Sequence, residues 1–139
     1  MKPPPSAGHR KIIHLGMDDA IDPAARVELL ALLREYTDLV EFTAADDAFL
    51  DITYNAFDIP FGARVAKMIK GDIKRQFGLE ISLGLGPTKF IASVAMASAR
   101  PDGLTIVRPE QVADFLADAP LDLLPGVGAT TCQRLAAMG

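Results

Sequence analysis

Between residues 11 and 86 the apolar residues alternate between strand-like runs and helix-like stripes, and that alternation constrains the fold more than any other feature. Lys11-Ile-Ile-His-Leu-Gly16 is a short apolar run ending in glycine, the pattern of a buried first strand. Asp22 can cap a helix that Pro23 opens, and Val27, Leu29, Leu30, Leu32 and Leu33 carry its apolar stripe to about Tyr36. Residues 39–53 read as two short strands around a tight turn that holds Asp46 and Asp47. Over residues 61–77, Val65, Met68, Ile69, Ile73 and Phe77 recur at helical spacing, and Gly78 is placed to end the helix. Glu80-Ile-Ser-Leu-Gly-Leu-Gly86 then alternates as a strand.

The order β-α-β-β-α-β predicts an α+β chain built on the ferredoxin-like unit, an antiparallel sheet with helices packed on one face. Downstream, Pro87 is expected to open a third helix to about Ala99, and Pro101-Asp-Gly103 to turn into a short strand at Leu104–Val107. A further helix is expected over Pro109–Ala117. Leu123-Leu-Pro-Gly-Val-Gly128 reads as a glycine hairpin opening a last helix.

At 139 residues the chain fits one ordinary domain, and half of its residues are apolar. No apolar run approaches a membrane span, which excludes a membrane partner by this route. Residues 1–10 read as a loose, proline-rich leader without the apolar segment of a signal peptide. One cysteine, Cys132, excludes an internal disulfide and a cysteine-rich metal site; it fits a small helix-packing residue and a cytoplasmic setting.

The net charge of −4 argues against a protein that coats nucleic acid. The charge is unevenly spread. Residues 1–60 hold 5 Lys/Arg against 11 Asp/Glu, residues 61–108 hold 8 against 3, and residues 109–139 hold 1 against 4. A basic centre beside a carboxylate pair suits a phosphate and a metal, although a solvated helix face with Arg64, Lys67, Lys70, Lys74 and Arg75 gives the same count.

Asp46 and Asp47 carry the chemistry. Adjacent ionised carboxylates repel unless a cation lies between them, and Mg²⁺ prefers carboxylate oxygen. The plainer reading is a pair of solvated turn residues. His14 reads as a packed core residue, because no His or Cys partner stands at metal-ligand spacing.

Six stretches together resemble the Y-family translesion DNA polymerases, in their DNA polymerase IV (DinB-like) branch. They are Arg10-Lys-Ile-Ile-His-Leu-Gly-Met-Asp18, Leu32-Leu-Arg-Glu-Tyr-Thr-Asp-Leu-Val-Glu41, Asp46-Asp-Ala-Phe-Leu-Asp-Ile-Thr53, Gly84-Leu-Gly-Pro-Thr-Lys-Phe90, Ala99-Arg-Pro-Asp-Gly103 and Leu124-Pro-Gly-Val-Gly128. They stand in the family's order. The resemblance implies a palm over residues 11–107 and a partial helical thumb over residues 108–139, starting a helix-hairpin-helix in which Gly126, Gly128 and Thr130 would touch DNA backbone. It also implies that the fingers are missing, since Met17 reaches the next helix within a few residues, and that most of the thumb and the little finger are absent.

The family carries three metal-binding carboxylates, one on the first strand and an Asp-Glu pair on the hairpin. The pair falls on Asp46 and Asp47, whereas the first-strand position is Gly16. Asp18 is a candidate shifted ligand, with Asp19 beside it. The aromatic residue that excludes ribonucleotides corresponds to Ile21 or is gone, Thr88 replaces an asparagine, and Ser93 and Ala97 replace a lysine and an aspartate. Lys89 and Arg100 remain as nucleotide-phosphate candidates, with Arg100 keeping the charge of a family lysine that faces the triphosphate.

Phosphoryl transfer depends on metals that hold nucleophile and leaving group in line. The expectation is therefore a nucleotidyltransferase-like palm without template-directed polymerase activity of its own. Mg²⁺ or Mn²⁺, deoxynucleotide and DNA are expected to bind weakly if at all. The alternative is a non-catalytic DNA-binding or protein-interaction module, with surface around Ile21, Phe42 and Phe49 available for a homodimer or a partner.

Overall fold

Alternation along the first strand sets the architecture. In β1 (Ile12–Met17), Ile13, Leu15 and Met17 enter the main core, while Ile12, His14 and Gly16 point to the opposite face. The computed structural model describes residues 10–18, 21–44 and 47–119. After β1 come α1 (Pro23–Arg34), β2 (Val40–Ala44), β3 (Asp47–Asp51), α2 (Gly62–Phe77), β4 (Ile81–Gly86), α3 (Lys89–Ala99), β5 (Leu104–Ile106), a 3-10 turn (Pro109–Gln111) and α4 (Val112–Asp118).

The sheet runs β2-β3-β1-β4-β5, and its first four strands are antiparallel neighbours, as the β-α-β-β-α-β order predicts. The short β5 joins β4 in parallel at the edge. Leu29, Leu32 and Leu33 of α1 and Val65, Ala66, Ile69 and Ile73 of α2 cover one face, burying Ile13, Leu15, Leu50, Ile81 and Leu83. Fully burying such a side chain contributes roughly 1.5–3 kcal/mol, so this layer supplies most of the drive to fold.

The local signals hold. The Asp22 carboxylate accepts from the Ala25 N–H at 2.7 Å, with Pro23 opening α1. Gly78 closes α2 in the left-handed region at φ 66°. The third helix starts two residues later than Pro87 suggests, because the Thr88 hydroxyl accepts from the Ile91 N–H at 3.2 Å and so fixes the cap. The expected helix at Pro109 opens instead with the 3-10 turn before α4.

The two helices of the β-α-β-β-α-β unit share one face as expected, and α3, which follows that unit, packs on the other. On the second face β4 presents Ser82, Gly84 and Gly86, small enough for a backbone to settle onto it. A Cβ at Gly84 would stand 2.1 Å from the Ala92 carbonyl oxygen and 2.2 Å from the Met96 nitrogen, so α3 lies against bare sheet backbone. Among the described residues no helix covers the second face above β3, and there Asp47, Phe49 and Asp51 alternate with the buried Ala48 and Leu50. No helix among the described residues is long and apolar enough to cross a membrane.

Candidate active site

The strand register brings the site together. Gly16 of β1 stands opposite Asp47 of β3, and opposite Ser82 of β4 on its other side. Gly16 and His14 share the face that carries α3, and Asp47 and Ser82 open onto the same face. Arg100, the residue that ends α3, reaches back over this point. Its Nη2 lies 3.6 Å from Asp47 Oδ1, and its Nε lies 3.8 Å from Asp18 Oδ1. A Cβ at residue 16 would stand 2.5 Å from Arg100 Nη2 and 2.7 Å from Met96 Sδ. The space for a first-strand side chain is therefore filled by a guanidinium.

Asp18, just past the end of β1, is the better-satisfied carboxylate. The Ser82 hydroxyl donates to it at 3.0–3.1 Å, and the Asp102 backbone N–H donates to Oδ2 at 2.7 Å. These bonds fasten the α3–β5 turn to the strand end. Asp102 holds a positive φ of 50° and pairs through its side chain with Lys70, which also donates to the Ile81 carbonyl at 2.6 Å. The Lys70 bond is the main reason the Asp102 carboxyl titrates below its usual range.

His14 is buried, as a packed residue should be, with its ring stacked on Phe49 at 4.3 Å between centroids. Its Nε2 stands 3.4 Å from Asp47 Oδ2, yet neither ring nitrogen has a hydrogen-bond partner among the described residues. Desolvation pushes its pKa below the ordinary value, outweighing the attraction of Asp47, while Arg100 pushes in the same downward direction. Burial thus favours the neutral imidazole beside the carboxylate. The alternation of Ile12, His14 and Gly16 along β1 was the one sequence signal for this proximity.

The two phosphate candidates separate. Arg100 joins the carboxylates, whereas Lys89 at the start of α3 pairs with Glu41 at 2.8 Å and lies 5.4 Å above the Phe49 ring. Ile21 and Phe42 pack against the main core, and Arg26 covers the Phe42 ring at 4.5 Å. Asp46, Asp19, Cys132 and the helix-hairpin-helix candidates Gly126, Gly128 and Thr130 lie outside the described residues. The roles of Ser82 and Asp102 in holding Asp18 had no sequence signal, because each depends on pairing with residues far along the chain.

Among the described residues no group of three His, Cys, Asp or Glu side chains could hold a metal ion. The cation within reach of both Asp18 and Asp47 is Arg100, and a second positive charge there would meet repulsion. The side chains of the described residues alone do not make up a metal site.

The β-α-β-β-α-β sheet, with Asp47 on its third strand and Asp18 just past its first, is the ferredoxin-like unit. The chain belongs to the impB/mucB/samB family, the Y-family DNA polymerases, whose model matches residues 11–97. DNA polymerase IV of Neisseria meningitidis is 38% identical over 112 residues, covering 81% of this chain and 32% of that protein. DNA polymerase IV of Methanoculleus marisnigri is 36% identical over 127 residues, covering 91% and 35%. The chain thus spans about a third of the length of these relatives. The crystal structure of DinB from Sulfolobus solfataricus superposes with a TM-score of 0.73 at 30% identity, over 84% of this chain and 34% of that one. A DinB-family error-prone DNA polymerase from the same organism gives 0.76 at 20% identity over 93% and 56%, a likeness of fold alone.

Proposed function

We propose that this chain is a DNA polymerase IV-type palm that does not extend a primer by itself and keeps at most weak affinity for Mg²⁺, deoxynucleotide and DNA. The observation that carries this reading is the pairing of Gly16 with Asp47. At the register position where the family resemblance implies a carboxylate, the chain has no side chain at all. Removing a ligand that bridges the metals takes away the charge neutralisation on which in-line phosphoryl transfer depends.

The short connection supports the same reading. β1 ends at Met17 and α1 begins at Pro23, which leaves no length for a fingers subdomain between them. The wall expected to pack against an incoming nucleotide has no counterpart there. What the chain retains is a folded palm whose own residues set charge and shape: Asp47 and Asp18 hold the guanidinium of Arg100, and burial favours the neutral form of His14 beneath them.

Primer extension on an undamaged template with Mg²⁺ or Mn²⁺ tests the proposal, with Asp46→Ala and Asp47→Ala as controls. No extension above a protein-free blank is expected. Extension by the unaltered chain that the controls lose would contradict it.

A further inference from the structure

The misfit between the described side chains and a metal ion has a specific cause in Arg100. A pair of carboxylates on one sheet face needs a cation, and Asp18 and Asp47 have one within ion-pair distance in Arg100. We propose that Arg100 is the resident cation of this site, a guanidinium within ion-pair distance of two carboxylates that are candidate metal ligands, and that Gly16 is the residue that makes room for it. The inference deepens the functional reading above and rests on the absence of a side chain at residue 16.

Two observations and one property of the guanidinium support it. A Cβ on residue 16 would stand 2.5 Å from Arg100 Nη2, so guanidinium and first-strand side chain exclude each other in this arrangement. The Asp102 N–H bond to Asp18 ties the turn that follows Arg100 to the end of β1, which keeps the arginine's backbone beside the carboxylates. A guanidinium is planar, permanently charged and weakly hydrated, so it can bridge two carboxylates at partial burial where an ammonium is less suited. Arg100 is 44% exposed, which leaves it displaceable by a change at its own position.

The consequence is that removing the arginine leaves Asp18 and Asp47 without their cation and strengthens whatever affinity the two carboxylates have for a divalent ion. Mn²⁺ alone, titrated into the full chain while thermal unfolding is followed, reads this directly, because an ion that binds the native state raises its stability. The unaltered chain is expected to show little shift, and Arg100→Ala to bind Mn²⁺ about tenfold more tightly or better. If Arg100→Ala does not fold, Arg100→Gln, which keeps length and hydrogen bonds without the charge, is read in its place. Adding Asp47→Asn to either variant should abolish the gain. Equal Mn²⁺ affinity with and without Arg100, or a gain that survives Asp47→Asn, would overturn the inference. Mn²⁺ binding by the unaltered chain without primer extension would overturn this inference alone, and extension without a difference between the Mn²⁺ titrations would overturn both.

Discussion

Arg100 Nη2 and Asp47 Oδ1 stand 3.6 Å apart, and the guanidinium fills the space that a side chain on Gly16 would need. Position 16 is therefore under steric control from α3, and its response to substitution follows. The atoms in the way are the ends of flexible side chains, Arg100 Nη2 and Met96 Sδ. Gly16→Ala should cost only about 1 kcal/mol, at the low end of overpacking. Urea unfolding would measure it, and a loss of folding would show that the arginine cannot move.

Gly84 makes the opposite case. A Cβ there would meet the backbone of Ala92 and Met96 at 2.1 and 2.2 Å, and a backbone cannot swing aside. Gly84→Ala should cost about 3 kcal/mol or more. A stability within about 1 kcal/mol of the unaltered chain would mean that α3 does not rest on β4 as described.

The Asp18 carboxylate serves the Ser82 hydroxyl and the Asp102 N–H. Asp18→Ala leaves both donors without their acceptor and should cost about 1–3 kcal/mol, with Asp18→Asn costing less because its amide oxygen still accepts. Hydrogen exchange should quicken at the Asp102 amide in the alanine variant before it changes in β1. Unchanged exchange there would assign the turn's order to other contacts.

These examples mark what the sequence could and could not disclose. The strands, both main helices and the Asp22 and Gly78 caps follow from local period and capping chemistry, and they stand where the residues suggest. The position of α3 on the second face depended on Ser82, Gly84 and Gly86 alternating with Ile81, Leu83 and Leu85, a cue visible in the sequence but only decisive once β4 is central. Gly16 stood out as an empty ligand position. That Arg100 fills it was not legible, because 84 residues separate the two and only the packing of α3 joins them.

His14 supplies a pH dependence with a definite sign. Its pKa in the folded chain lies below the ordinary value of 6.5, so between the two values the unfolded chain binds more protons. Its contribution to stability is complete above about pH 6.5 and is lost as pH falls from there toward the folded value. His14→Gln should flatten the stability profile in this window, measured by urea unfolding across a pH series. An identical slope in both proteins would assign the titration elsewhere.

The most direct test of the exchange of metal for guanidinium is crystallographic. Crystals of the unaltered chain soaked in MnCl₂ and measured at the manganese absorption edge should show no anomalous peak at Asp47, with the Arg100 guanidinium between Asp47 and Asp18. A manganese peak about 2.1 Å from an Asp47 oxygen, with Arg100 swung away, would contradict the account.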